Sequence, residues 1–243
     1  MVRFFVDPSE LRDNEIVLNK ENSAHARVLR LQEGEQVTLC NGDGTDFICA
    51  VSAVNNGNYY LRVINSMPSE SEPSVKVSIY MALPKADKLE HVIQKATELG
   101  AYEIVTFPSA RCVSRPDEKS LNKKLERWQK IAVSAAEQSG RGRIPKVIVL
   151  NSYEDALKRA IQAEKAVLFY ENEQATTLHM ALNQCSVKSF SLLTGPEGGL
   201  EEKEVLQAQA AGFSVCTLGK RILRCETAPL CALSAVMYVA MEF

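Results

Sequence analysis

The stretch Phe190-Ser191-Leu192-Leu193-Thr194-Gly195-Pro196-Glu197-Gly198-Gly199-Leu200 runs from an apolar segment into a glycine-bearing turn, after which a helical pattern begins. A second turn, Leu218-Gly219-Lys220-Arg221-Ile222-Leu223-Arg224-Cys225-Glu226-Thr227-Ala228, follows the run Phe213-Ser214-Val215-Cys216-Thr217-Leu218 in the same way. Strand, glycine turn and helix in succession is the step from which α/β sheets are built, and such sheets bind ligands outside the carboxyl ends of their strands. The two turns are therefore expected to meet at one edge of a parallel sheet, which makes the chain an enzyme candidate.

Working outward, the same alternation begins at Val75-Lys76-Val77-Ser78-Ile79-Tyr80-Met81, where apolar residues recur at every second position. A helix follows from about Asp87, with Leu89, Ile93, Ala96 and Leu99 on one face and Gly100 as its stop, and then a strand over 103–107. A longer helix aligns Leu121, Leu125, Trp128, Ala132 and Ala135, leaving Lys123, Lys124, Arg127 and Lys130 off that stripe. Further strands are expected at 147–150, 166–170, 190–194 and 213–218, with helices from Ser152, where Asp155 completes a capping box, and from Leu200. The final helix, 227–241, holds no charged residue and takes Thr227 as its cap. Its fifteen residues reach only about 22 Å, too short for a bilayer. It needs protein on nearly all sides, and a homodimer interface would supply it.

Residues 1–68 read as a separate, β-rich unit. Strand-like runs at 36–40, 47–51 and 59–64 are divided by Asn41-Gly42-Asp43-Gly44 and Asn55-Asn56-Gly57-Asn58, both strong hairpin signals, and a compact barrel is expected. The polar, proline-bearing run 69–74 reads as a linker, and 75–243 as the α/β domain.

The chain has 243 residues, 46% of them apolar, enough for a full core. The start, Met1-Val2-Arg3-Phe4-Phe5-Val6-Asp7, meets charge too soon for a signal peptide, and no apolar run approaches a membrane span, so a cytoplasmic address is expected. Seven cysteines lack CxxC or Cys/His ligand spacing, so neither disulfides nor a metal is expected. Net charge is −2, yet residues 111–146 carry ten Lys/Arg against four Asp/Glu, whereas residues 1–70 carry six against ten. A local basic surface on a mildly acidic chain suits a polyanion bound at a defined place, and equally a solvated helix face.

Glu197 within the first turn, with Glu201, Glu202 and Glu204 after it, disfavours a phosphate there, and neither GxGxxG nor GK[ST] is present. A neutral or cationic adenosine-containing ligand held by backbone groups fits better than a triphosphate or dinucleotide. The second turn brings Lys220, Arg221 and Arg224 beside one acid, Glu226. Arginine there can grip phosphate or stabilise charge developing on a base, which suits a nucleic-acid substrate; a local Arg224–Glu226 ion pair is the alternative.

Gly195-Pro196-Glu197-Gly198-Gly199-Leu200 with Leu218-Gly219-x-Arg221-Ile222-Leu223-Arg224-x-Glu226-Thr227-Ala228 resembles the SPOUT, or α/β-knot, methyltransferases. Within them the chain is similar to the 16S ribosomal RNA uridine-N3 methyltransferases. The likeness extends through Arg3-Phe4-Phe5, His25 to Arg30, Lys85 and Lys88, Thr97 to Gly100, and Ala135 to Arg141. One departure is Ala110, where the family has an acid before the segment Arg111-Cys112-Val113.

The resemblance implies a PUA-like β-barrel followed by a domain whose C-terminal segment threads a trefoil knot, and a working homodimer. It implies S-adenosylmethionine held by three loops: Phe169, Tyr170 and Glu171; Thr194, Gly195, Pro196, Glu197, Gly198 and Gly199; and Leu218, Gly219, Ile222, Leu223, Arg224 and Thr227. Uridine N3 must lose its proton and meet the methyl in line, so positioning and charge stabilisation should supply most of the acceleration. Arg224 is the candidate for stabilising that charge, with Glu226 or Glu197 orienting the site or accepting the proton. Arg3, Arg27, Arg30, Arg111, Arg115, Lys123, Lys124, Arg127, Arg141 and Arg143 are the candidate contacts to 16S rRNA, which the resemblance places within the small ribosomal subunit. The rival readings are another SPOUT RNA methyltransferase, a non-catalytic RNA-binding module, and an oxidoreductase that would have to bind nicotinamide without the dinucleotide fingerprint.

Overall fold

The computed structural model describes residues 2–11, 15–114, 116–182 and 187–242. The chain divides into two compact units, one comprising 1–72 with 136–144 and the other 73–135 with 145–243.

The first unit contains β1 (Val2–Phe5), β2 (Glu15–Val17), α1 (Lys20–Val28), β3 (Gln36–Cys40), β4 (Thr45–Asn55) and β5 (Asn58–Pro68), and its five strands form one sheet in the order β1-β3-β4-β5-β2. β4 and β5 pair antiparallel up to Asn55 opposite Asn58. The two residues between them, Asn56 and Gly57, have φ of 51° and 79°, the left-handed pair that a two-residue hairpin turn requires. Phe4, Ile16, Ala26, Val37, Leu39, Cys49, Val51, Tyr59 and Leu61 form its core. β1 runs parallel to β3. β3, β4 and β5 match the expected strands, whereas β1, β2 and α1 carry no sequence signal of their own. The first two are only four and three residues long, and in α1 Ala26 is buried while Val28 is 79% exposed, so no apolar stripe marks the helix.

The run read as a linker is held in place as far as Glu72. Ser69 N–H donates to Gly44 O at 2.8 Å, and Glu72 accepts from the Arg141 side chain at 2.7 and 3.2 Å and from the Gly142 and Arg143 amides at 3.0 Å each. Four hydrogen bonds to one carboxylate make Glu72 the clip that keeps 136–144 in this unit.

The second unit contains β6 (Lys76–Ala82), α2 (Lys88–Glu98), β7 (Glu103–Phe107), α3 (Glu118–Gln138, whose last turn belongs to the first unit), β8 (Lys146–Val149), α4 (Tyr153–Ala160), β9 (Lys165–Phe169), α5 (Leu178–Leu182), β10 (Ser189–Thr194), α6 (Glu202–Ala211), β11 (Ser214–Cys216) and α7 (Thr227–Val239). All six strands are parallel, in the order β11-β9-β10-β6-β7-β8. The strand-helix alternation thus gives the expected sheet, and β7 is buried at every position, as a strand covered on both faces must be. Ser152 caps α4, its hydroxyl accepting from Asp155 N–H at 3.0 Å.

After β11 at the sheet edge, α7 returns to pack against α2, β10 and β6, burying Pro229, Ala232, Leu233, Val236 and Met237. It differs from expectation in two ways. Glu226, not Thr227, is its N-cap, because Thr227 N–H already donates to Arg224 O at 2.9 Å. Its other face is not covered by the described residues: Cys231 is exposed and Tyr238 is 72% exposed. No helix among the described residues is long and apolar enough to cross a membrane, and no cluster of three metal-ligating side chains occurs among them.

Candidate active site

β9, β10 and β11 lie near one another at one side of the sheet, with β9 between the other two, so the segments that leave their carboxyl ends converge. Together they line a cleft of about 940 Å³, to which α2 contributes Lys88. Of the fifteen residues that the family resemblance assigned to the cofactor, thirteen line this cleft. The other two do not: Thr194 is buried at the end of β10 with no partner for its hydroxyl among the described residues, and Thr227 is an exposed first residue of α7.

The first turn is held from four directions. Gly199 N–H donates to Pro196 O at 3.0 Å, closing it locally. Arg111 Nη1 donates to Gly198 O at 2.9 Å. Lys85 N–H donates to Glu197 Oε1 at 3.0 Å. Glu204, 4% exposed, accepts from Glu201 N–H through Oε2 and from Ala110 N–H through Oε1, each at 2.9 Å, so a carboxylate reaches the chain where Ala110 offers none of its own.

The two carboxylates proposed for catalysis meet on Lys88. Its Nζ lies 3.0 Å from Glu197 Oε1 and 3.6 Å from Glu226 Oε2, and Cys225 S–H donates to Glu226 Oε2 at 3.2 Å. Partial burial raises the Glu197 carboxyl, but hydrogen bonds from its own amide, Lys88 and Lys85 outweigh it, and the group lies below its ordinary value. Glu226 follows the same pattern, with burial opposed by its own amide, Cys225 and Lys88. Lys88 is raised, chiefly by its hydrogen bond to Glu197, and burial with the Glu226 hydrogen bond pushes the Cys225 thiol up to about 12. At neutral pH the group is therefore two carboxylates, one ammonium and one neutral thiol. The Arg224–Glu226 pair is not formed; among the described residues the Arg224 side chain makes no ion pair, and it stands exposed at the cleft beside Lys220, Arg221 and an 87%-exposed Ile222.

Residues 70–237 match the model of a family described as an RNA methyltransferase domain, and residues 18–64 match an RNA methyltransferase PUA domain. The chain belongs to this RNA methyltransferase family. It is 39% identical over 247 aligned positions to ribosomal RNA small subunit methyltransferase E of Bacillus subtilis, covering 98% of this chain and 96% of that protein. The Mesomycoplasma hyopneumoniae protein of the same name is 33% identical, with 95% and 96% covered. A crystal structure of ribosomal RNA small subunit methyltransferase E from Neisseria gonorrhoeae bound to S-adenosylmethionine is 30% identical, with a TM-score of 0.84 and 98% of each chain covered.

Within this RNA methyltransferase, the ten basic residues proposed for RNA separate by environment. Two are withdrawn: Arg141 is 3% exposed and bound to Glu72, and Arg3 is spent in a two-pronged pair with Asp46 at 2.6 and 2.8 Å. Both are short of solvent because they hold the small unit together. Arg111 supports the glycine turn, Arg143 donates to Asp43 O, Arg27 donates to Gly57 O at 3.3 Å, and Arg127 pairs with Glu90 at 2.6 Å while staying 69% exposed. Arg30 and Lys123 are exposed and Lys124 is half-buried, and none of the three makes an ion pair among the described residues. Arg115 lies outside the described residues. Lys88 belongs to the family motif, but the sequence alone assigns it no role in the site. Its signal was a lysine in the first turn of a helix, where the macrodipole disfavours a cation unless acids surround it.

Proposed function

We propose that this chain methylates N3 of a uridine in 16S ribosomal RNA, using S-adenosylmethionine. The observation that carries the reading is the meeting, in one cleft, of a glycine turn carrying ionised Glu197 and a second turn carrying ionised Glu226 and an Arg224 side chain that makes no ion pair among the described residues.

The cleft is lined by charges of both signs. Glu171, Glu173 and Glu197 offer carboxylates to a sulfonium, Glu197 being paired with Lys88, while Lys220, Arg221 and Arg224 supply cations for an RNA substrate. Backbone groups of Gly195 to Gly199 and of Leu218 and Gly219 offer hydrogen bonds to an adenosine, and the exposed side chain of Ile222, with Leu223, gives its ring an apolar surface. When bound, S-adenosylmethionine supplies a methyl group made electrophilic by its sulfonium.

The chain's own residues then have three tasks. Arg224 stabilises the negative charge that spreads over the uracil as N3 loses its proton. Glu197 or Glu226, both ionised, receives that proton or orients the base. The two turns hold the reacting atoms in line, which removes much of the entropic barrier. N3 lies on the pairing edge, so the uridine must be unpaired or turned out when it reacts.

Four further features belong to the proposal. The small unit grips RNA through Arg27, Arg30 and neighbouring cations. The C-terminal segment from β11 to α7 is threaded as a knot, supported by the return of α7 across β10 and β6. The exposed apolar face of α7 is buried in a homodimer. The site of action is the cytoplasm, on the small ribosomal subunit.

The test is transfer of labelled methyl from S-adenosylmethionine to undermethylated small subunits and to naked 16S rRNA, with the product nucleoside identified. 3-Methyluridine is expected. A ribose-methylated nucleoside, or no transfer to either substrate, would overturn the proposal.

A further inference from the structure

Lys88 occupies the first position of α2, and the cap before it, Asp87, makes no side-chain hydrogen bond to the helix. A cation there opposes the helix dipole, so it must be repaid by what it touches. What it touches comes from two different strand ends: Glu197 from the turn after β10 at 3.0 Å, and Glu226 from the segment that opens α7 at 3.6 Å. Glu197 is also tied to the α2 side through the Lys85 amide, whereas Glu226 reaches that side through Lys88. Lys88 moreover lines two openings, the large cleft and a groove on its other side with Asp87, Glu90, His91 and Glu226.

We propose that Lys88 is the positioning residue of this site: its ammonium fastens the glycine turn to the start of α7 and holds together two carboxylates that would otherwise repel. The proposal rests on the methyltransferase reading above. Without the ammonium, Glu197 and Glu226 would face one another with no charge between them, and one would take up a proton at mildly acid pH. That would remove a ready proton acceptor and slacken both turns. The other groups around the joint are Asp87, His91 and the Glu90–Arg127 pair on the groove side, Cys225 beside Glu226, and Arg224 on the cleft side. None of these supplies a second cation within ion-pair distance of Glu197 or Glu226.

The test compares wild type, Lys88→Met and Lys88→Arg by two readouts. The first is amide hydrogen exchange of the ligand-free protein. Lys88→Met should speed exchange over residues 195–201 and 224–229 together while β6 and β7 stay protected, and adding Glu226→Gln should slow it again by removing the repulsion. The second is the pH profile of methyl transfer. The acid limb of kcat should move up by about one unit in Lys88→Met, so that on the falling limb, well below about pH 4.5, activity at a given pH is up to about tenfold lower than in wild type while the two profiles coincide at about pH 8, and Lys88→Arg should bring the limb back. Unchanged exchange in both segments, or an unmoved acid limb, would overturn the proposal. Should Lys88→Met fail to fold, an exchange pattern and pH profile in Lys88→Arg that depart from wild type as far as a charge deletion would also overturn it. If wild type itself transfers no methyl to rRNA, the function fails, and the exchange experiment still judges the joint.

Discussion

Gly199 and the carboxylate of Glu171 are in contact across two turns, so closely that a β-carbon at position 199 would overlap Glu171 Oε1. Gly199 also has φ of +67°, so only glycine satisfies both demands at once. Gly199→Ala is expected to cost about 1–2 kcal/mol from the backbone alone. The overlap adds to this by pushing Glu171 or the turn aside. Calorimetry should show S-adenosylmethionine affinity reduced by about tenfold or more, the equivalent of about 1.4 kcal/mol. Gly199→Ala combined with Glu171→Ala should recover part of that loss, because the overlap is gone while the strain remains. A purely additive double variant would show that the contact does not couple the turns.

Arg224 contributes to its turn through its carbonyl, which accepts from Thr227 N–H at 2.9 Å and Ala228 N–H at 3.0 Å, and not through its side chain. Arg224→Ala keeps those bonds. Turnover should fall about 100- to 1,000-fold, the usual effect of removing one charge-stabilising donor, while cofactor affinity stays within a few-fold. Single-turnover transfer and equilibrium binding separate the two. An equal loss of both would make Arg224 a pocket-shaping residue.

Glu197 and Glu226 both fold with carboxyls held below 4.5, so each binds protons more tightly in the unfolded chain. Their stabilisation is present in full above about pH 4.5 and is lost as pH falls through the folded values. Melting temperature should therefore drop on acidification below that point. Glu197→Gln should flatten this part of the curve, because the amide no longer titrates. A Glu197→Gln curve parallel to wild type would show that the group does not carry the dependence.

The parallel sheet was legible because its strands are short runs rich in apolar residues and helical patterns follow most of them; the five-residue α5 after β9 carries too short a pattern to be read. The cleft was legible because its glycine turns lie directly after two of those strands. α1 carries no readable stripe because its buried face is Asn22, Ser23 and Ala26, of which only the last is apolar, and no local pattern distinguishes nine polar-rich residues from a loop. Arg3 and Arg141 were read as RNA contacts because charge in a sequence carries no partner. Their acids, Asp46 and Glu72, lie 43 and 69 residues away, and only the fold brings them together. Lys88 was hidden for the same reason, since its two acids come from loops more than a hundred residues downstream.

Glu204 shows how a buried charge supports the site at one remove. Its two oxygens satisfy the Glu201 and Ala110 amides, and it is 4% exposed. Glu204→Ala would strand both amides, at about 1–3 kcal/mol each. Urea denaturation should register a loss of about 2 kcal/mol or more, and cofactor affinity should fall with it because Glu201 opens the helix after the glycine turn. Glu204→Gln retains one acceptor oxygen and should lose less. Unchanged stability in Glu204→Ala would mean that water replaces the carboxylate at no cost.

The division of the basic residues by environment leads to opposite expectations for two substitutions. Lys123 is exposed and makes no ion pair among the described residues, so if it contacts a phosphate, Lys123→Ala should weaken rRNA binding and reduce the slope of log K against log salt by about 0.7–0.9. The fold should be indifferent to the change. Arg141 is buried against Glu72, so Arg141→Met removes the cation and leaves the acid with only its two amide donors. Breaking a buried pair in this way costs about 3 kcal/mol or more. The melting temperature should fall while the salt slope of the protein that remains folded is unchanged. Salt titrations of fluorescent rRNA fragments, run beside thermal melts of both variants, distinguish a residue that meets RNA from one that holds the protein together. A reduced slope in Arg141→Met would return it to the RNA surface.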